Sequence, residues 1–277
     1  MARKKDYNKI AKKELHYNRL YNKYKLLALN IFSWGNLPNN IKSRHIELAL
    51  FNNGQCLFYD DENLGLICLP CHGTGKLNPY GEHVKYSVNG VSFNKIVDLE
   101  NGVLIKNNDL SLPTNTIVVD YAERMQIIEE SINANIKQQK FPYFIKTNKD
   151  NELTIKNLYK KFDDNEPVIF GGKNIDENTI SVFNTNAPYI ADKLNYLKYE
   201  LEREILTTFG LNNNYEKKER LLTDEVNSNN DYIFANVRLM YLSRLQALKE
   251  INEKFNLDVK LNLNHNIKED EETEVIF

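Results

Sequence analysis

Two stretches of this chain repeat apolar side chains at steps of four, three, four and four residues. They are Tyr121, Met125, Ile128, Ile132 and Ile136, and then Ile190, Leu194, Leu197, Leu201 and Ile205. That spacing lays the side chains along one stripe of an α-helix, so each stretch predicts an amphipathic rod of about 20 residues and roughly 30 Å. Asp120 is placed to cap the first rod and Gly210 to end the second. Two further helices are expected. One follows Tyr17, Leu20, Tyr21, Tyr24, Leu27, Ala28 and Ile31 and ends near Trp34 and Gly35. The other runs from Tyr232 to Phe255 on Ile233, Val237, Met240, Tyr241, Leu248 and Ile251. Rods of this length need something to cover their stripes, and copies of the same chain could supply it.

Between the rods the periodicity changes. Short apolar clusters at Leu66 to Leu69, Val84 to Val91 and Gly102 to Ile105, separated by Gly, Asn and Pro, predict strands and tight turns between Leu57 and Pro113. Residues 141–186 return to β character at Tyr143 to Ile145, Pro167 to Phe170 and Ile180 to Phe183. Leu211 to Asp231 has no sustained apolar period and is rich in Asn, so a long polar loop is expected there. Asp258 to Leu263 alternates and predicts a short strand.

Composition narrows the class. The 277 residues are enough for one to two domains, and 42% hydrophobic with 27% charged residues is ordinary globular usage. No apolar run approaches the ~20 residues of a membrane span. Three cysteines and no apolar leader after Met1 suggest a reducing compartment, with the cytoplasm as default. The net charge of -2 is unevenly spread. Met1 to Lys25 carries nine basic residues against Asp6 and Glu14, whereas Lys268 to Phe277 carries one Lys against five acids. Solvated ends are the ordinary meaning of such a pattern, and a phosphate-binding arm is the functional one. Tyr7, Tyr17, Tyr21 and Tyr24 interleave with the arm, but from Tyr17 onward their spacing fits packing before base stacking.

Catalytic constellations are weak. Cys68, Cys71 and His72 have the spacing of half a zinc site, and Cys56 and His83 complete no standard finger, so the cysteines are expected as buried hydrophobes. Gly73-Thr74-Gly75-Lys76 lacks the spacer and the Ser or Thr of a phosphate loop and is taken as a turn. The pairs Asp60 with Asp61 and Asp163 with Asp164 sit in turn contexts. No enzyme, cofactor or metal is expected.

Longer strings carry a resemblance. Met1-Ala-Arg-Lys, Asn36-Leu37-Pro38, Asn107-Asn108-Asp109 with Pro113-Thr114, and Pro167-Val168-Ile169-Phe170 are four of them. Ala187-Pro188-Tyr189 with Asp192-Lys193-Leu194-Asn195, and Glu216-Lys217-Lys218-Glu219-Arg220 with Thr223-Asp224-Glu225-Val226, are the two longest. In this order, up to about Leu263, they resemble the head-tail connector, also called portal or upper collar protein, of small short-tailed phages that use a packaging RNA.

The resemblance implies an α+β, mainly helical portal fold assembled as a ring, usually of twelve subunits, at one capsid vertex. Residues 1–27 would be a basic arm and helix start, 28–118 a wing with an SH3-like barrel, and 119–140 and 187–210 the stem helices. Residues 141–186 would form a β-rich clip, 211–230 a channel loop, 231–263 a wing or crown helix and strand, and 264–277 an acidic tail. Implied partners are double-stranded DNA, packaging RNA and motor ATPase, major capsid and scaffolding proteins, and a lower collar or tail protein. The expected location is the head-tail vertex of a virion assembled in the host cytoplasm. Lys193 falls on one of the family's channel-lysine positions, and Asn184 stands where the other would be. Asn213, Asn214, Lys217, Lys218 and Arg220 fall in the channel loop, and Arg3, Lys4 and Lys5 are candidates for packaging RNA or motor binding.

Ring symmetry multiplies each inward side chain, so one Lys becomes a collar facing phosphates spaced about 1.7 Å along the duplex axis. Many such collars would grip the DNA, and a protomer of net charge -2 suits a conduit. From spacing alone, the preferred reading of Lys193 is a solvated helix residue pairing with a neighbour's acid. Two rivals remain: a monomeric nucleic-acid-binding module using the basic arm, and a metal-dependent enzyme on Cys56, Cys68, Cys71 and His72.

Overall fold

The computed structural model describes residues 2–139, 143–145, 180–182, 188–211 and 223–264. The chain divides into two compact units, one of residues 1–126 with 199–277 and one of residues 127–198.

The first unit is built on a five-stranded antiparallel sheet. Its strands are β2 (Gln55–Asp61), β3 (Gly65–Leu77), β4 (His83–Gly90), β5 (Phe93–Asp98) and β6 (Gly102–Lys106), in the order β5-β4-β3-β2-β6. A 3₁₀ turn at Leu99–Asn101 joins the last two. In β2, alternate residues enter different cores. Cys56 and Phe58 join Cys68, Val103 and Ile105 against helices α2 (Ser43–Asn53) and α5 (Thr223–Phe255), while Leu57 and Tyr59 join Cys71, Tyr86, Val88 and Val97 on the other face. With both faces covered, β2 reads as a continuous apolar run. Burying Phe58 alone contributes roughly 1.5–3 kcal/mol.

Helix α1 (Ala2–Leu29) stops earlier than its sequence period suggests. The Asn30 side chain donates back to the Leu26 carbonyl at 2.8 Å, and the chain turns out of the helix. Trp34 and Gly35 therefore lie in a strand, β1 (Phe32–Gly35), paired antiparallel with β9 (Lys260–Leu263), with Phe32 opposite Leu263 and Trp34 opposite Leu261. Phe32 and Trp34 point inward by strand alternation.

A buried ion pair ties these pieces together. Arg244 on α5 meets Glu47 on α2 through two parallel bonds, Nε to Oε1 at 3.0 Å and Nη2 to Oε2 at 2.9 Å, and the residues are 2% and 3% exposed. The other guanidinium N–H groups donate to the carbonyls of Asn107 and Met240 and to Asn107 Oδ1. Trp34 Nε1 donates to Glu47 Oε1 at 2.8 Å, and the guanidinium stands 4.3 Å from the centre of the Phe32 ring. All five donors of Arg244 are thus satisfied.

Helix α2 was not expected from the sequence. It ends at Gly54, whose φ of 78° is left-handed and whose N–H donates to the Leu50 carbonyl at 2.9 Å. A Cβ there would lie 1.8 Å from the Ser111 carbonyl oxygen, because residues 107–114 fold back over the helix end. Gly54→Ala should therefore cost about 2–4 kcal/mol, combining left-handed strain with overpacking. Gly65→Ala has a similar φ of 68° but open space around it, and should cost about 1–2 kcal/mol. Urea unfolding followed by Trp34 fluorescence measures both, and equal losses would contradict the steric account.

Three further differences have local causes. Helix α3 (Asn115–Gln139) starts five residues before Asp120, since the Thr114 carbonyl already accepts from Ile117 and Val118 at 3.1 and 3.2 Å. Asp120 instead sits 3.5 Å from Arg124, one turn on. Gly73 to Lys76 is strand rather than turn: β3 carries an irregular register between Thr74 and Leu77, with Gly75 at φ 74°. Helix α5 begins at Thr223, so residues 223–230 of the expected loop are helical. A Thr followed by Asp224 and Glu225 favours a helix start, and the few tenths of a kcal/mol that each Asn or Ser costs is absorbed by a 33-residue helix.

Helix α4 (Ala191–Thr208) ends as expected at Gly210, with φ 67°. The Leu211 N–H reaches back to the Leu206 carbonyl at 2.9 Å and that of Gly210 to Thr207 at 3.0 Å. In the second unit, the later turns of α3 and the first turns of α4 are joined by Asn135. Its side chain donates to the Pro188 carbonyl at 3.0 Å and accepts from the Ile190 N–H at 3.1 Å. Lys198 and Glu129 pair across the same helices at 2.7 Å. A short pair, β7 (Tyr143–Ile145) with β8 (Ile180–Val182), lies in the expected β segment.

Candidate channel helices and subunit interface

Helices α1, α3 and α4 run side by side in the first unit. The Tyr21 hydroxyl donates to Asn115 Oδ1 at 2.7 Å, Lys23 pairs with Glu202, and Arg124 lies 3.6 Å from Glu204. Tyr121, Met125, Leu201, Ile205 and Phe209 are buried there, as the four-three-four stripes require. Burial and the neighbouring Glu204 hold the Tyr121 hydroxyl in its neutral form beyond its ordinary range.

The second unit is different. Its helical surface leaves large apolar side chains in water: Ile127 is 64% exposed, Tyr196 67% and Leu197 50%, with Ile136, Tyr189 and Ile190 also exposed. Scattered single apolar residues are normal on a surface, but this concentration on two helices is what an unformed contact looks like. Sequence period alone assigns Leu197 to the buried stripe. Ile127 escapes notice beside Ile128, which is the buried member of the pair.

Lys193 sits in the first turn of α4 and is exposed. Beside it the Tyr189 hydroxyl donates to Asp192 Oδ1 at 3.2 Å, and that carboxylate raises the pKa of the phenol. Arg3, Lys4 and Lys5 lie in the first turns of α1. Asn184, Asn213, Asn214, Lys217, Lys218 and Arg220 lie outside the described residues, as do Asp163, Asp164 and the expected strand from Pro167 to Phe170.

The cysteines pack as hydrophobes. Cys56 and Cys68 have their sulfurs 3.4 Å apart in the core beneath α2 and α5, whereas Cys71 enters the other core. Three residues apart on one strand, Cys68 and Cys71 point to opposite faces and cannot hold one ion together. Burial pushes the Cys56 and Cys71 thiols well above their ordinary range, which disfavours the reactive thiolate. Among the described residues no group of three His, Cys, Asp or Glu side chains could hold a metal ion, and no helix is long and apolar enough to cross a membrane. Asp61 serves a turn: its Oδ1 accepts from the N–H groups of Asn63 and Leu64, and Lys95 pairs with Oδ2 at 2.9 Å. The Lys95 bond, with those of the backbone, holds the carboxyl below the usual carboxylate range.

Paired long helices, a short antiparallel strand pair, and helices with a five-stranded antiparallel sheet make the class α+β, and the fold is similar to that of portal structures. The portal structure described as "Portal and tail of native bacteriophage P68" matches 94% of this chain and 89% of its own, with a TM-score of 0.50 and 14% identity. A chain of the "Virion of native gene transfer agent (GTA) particle" matches 90% of this chain and 80% of its own, with a TM-score of 0.49 and 10% identity. An HK97 family phage portal protein from Corynebacterium diphtheriae matches 68% and 71%, with a TM-score of 0.39 and 15% identity. The chain belongs to the Phage Connector (GP10) family, whose profile matches residues 3–268. It is a structural portal protein of the virion head-tail vertex and not an enzyme.

Proposed function

We propose that twelve copies close into a ring at one capsid vertex of a small short-tailed, packaging-RNA-using phage, and that double-stranded DNA enters and leaves through the central channel. The observation that carries this is the apolar surface left open on the paired helices of the second unit, in a chain of the connector family. A heterologous contact repeated around a closed circle covers such a surface in every copy at once. The wing is an SH3-like barrel, supported by the strand order β5-β4-β3-β2-β6 and the 3₁₀ turn before β6. The capsid and scaffolding proteins hold the ring, and the lower collar or tail protein joins it from outside. Negative-stain images of the purified chain test this: annular particles with a central hole are expected, and fields of small solid particles would reject it.

Lys193, repeated twelvefold, forms a positive collar on the channel wall, and Asn184 forms a neutral one. Asn213, Asn214, Lys217, Lys218 and Arg220 belong to a loop that admits DNA and checks its return. Since α5 begins at Thr223, the deletion that probes this loop is residues 213–222. Rings and proheads should form normally while packaged DNA escapes during purification, and failure to form rings would make the loop structural instead.

Arg3, Lys4 and Lys5 bind the packaging RNA or the motor ATPase. Their joint replacement by Ala should weaken RNA binding and make the slope of log affinity against log salt shallower by about two to three. An unchanged affinity and slope would reject the assignment.

A further inference from the structure

Asn135 is a polar side chain shut inside the second unit, on α3 where it faces the approach to α4, and it is 6% exposed. Its amide holds the facing backbone at two points. Nδ2 donates to the Pro188 carbonyl at 3.0 Å, and Oδ1 accepts from the Ile190 N–H at 3.1 Å. The two partners flank Tyr189, so the side chain does what a peptide group of a neighbouring strand would do. An apolar residue offers neither group, and a carboxylate has no N–H to give.

The clamp acts where α4 has no cap of its own. The Leu194 N–H donates to the Ile190 carbonyl at 3.0 Å as the first intrahelical bond, which places Ile190 at the N-cap. An isoleucine side chain has no oxygen to offer the open N–H groups of that turn. Asn135 therefore fixes the start of α4 from a position 55 residues earlier in the chain, and Pro188 adds a fixed φ on the approach.

What the clamp holds in place is apolar surface. Tyr189 lies between the two bonded residues and is 57% exposed, Ile190 is one of them, and Ile136 follows Asn135 on α3; all three are exposed in the single copy. They belong to the surface assigned above to the neighbouring subunit. The angle at which such a surface meets its partner decides where a ring closes, since twelve copies turn about 30° per contact and thirteen about 28°. A change of about 2° per contact thus alters the copy number.

We infer that Asn135 is the positioning residue of the subunit contact: by locking residues 188–190 to α3 it sets the angle between neighbouring copies, and with it the number at which the ring closes. The inference rests on the ring proposed above and names a residue that governs its size.

Native mass spectrometry of assembled rings tests it with two substitutions. Asn135→Leu fills nearly the same space with neither donor nor acceptor, and Asn135→Gln keeps both groups but carries them one methylene further from the helix. A purely structural role would lower the yield of rings and leave their size alone. The unaltered chain should give a single ring of twelve. The rings of the variants should spread over roughly eleven to fourteen copies, with the share of twelve falling at least about twofold. If every variant ring holds twelve copies, or if neither variant forms rings, the positioning role is overturned and the ring itself stands. Rings of mixed size from the unaltered chain would overturn it too, because the clamp is intact there. Absence of rings from the unaltered chain would overturn both.

Discussion

Arg244→Ala should lower the unfolding free energy by about 3–5 kcal/mol, the largest loss expected from any single substitution here. The cause is the partner left behind. Glu47 would remain buried under Trp34 and α2 with no cation, and the Asn107 carbonyl and side chain would lose their donors. The two residues are 197 positions apart, so the substitution also unties α5 from α2. Replacing both Glu47 and Arg244 by Leu removes the stranded charge, and about half or more of the lost stability should return. Urea unfolding monitored by Trp34 fluorescence reads both values. A loss below about 1 kcal/mol for Arg244→Ala would mean that the pair is a bystander.

The second large effect concerns assembly and leaves the fold alone. Ile127→Asp combined with Leu197→Asp changes two side chains that are mainly solvent-exposed in the single copy, so circular dichroism and the unfolding midpoint should barely move. Each substitution exchanges an apolar contact worth roughly 1.5–3 kcal/mol for a charge that must be desolvated. Every contact of a closed ring bears the same loss, and at 1.4 kcal/mol per tenfold the association constant per contact should fall by about a hundredfold or more. Gel filtration of the doubly substituted chain should show small, folded particles in place of rings. Rings at the original yield would remove these helices from the interface.

What could be seen in the sequence follows from how local each signal was. The stripes of α3 and α4 were legible because their periods run unbroken over many turns, although only Tyr121, Met125, Ile128, Leu201 and Ile205 are buried within the copy while Ile136, Ile190 and Leu197 stay exposed. Helix α2 was not, because its inward positions include Glu47, which interrupts the apolar period and is satisfied only by a residue far along the chain. Strand β2 blurred for the opposite reason: with cores on both faces, Cys56 to Tyr59 show no alternation to count. Trp34 was assigned to the end of a helix because its strand partner, Leu261, comes from the far end of the chain. Thr223 shows the limit of composition, since Asn-rich segments read as loop even where an acidic first turn starts a helix that continues to Phe255.

The candidate site divides in the same way. The cysteines were correctly taken as packing residues, and the structure adds the reason, namely that Cys68 and Cys71 serve opposite faces of one strand. The open apolar surface of Ile127 and Tyr196 could not be read from spacing, because exposure is a property of the folded copy and not of its period.

Mass in solution tests the central claim most directly. Sedimentation velocity on the intact chain, across a hundredfold range of concentration, should resolve a closed species of about 390 kDa, twelve times the 32.4 kDa of one copy. A single boundary at 32.4 kDa throughout that range would contradict it.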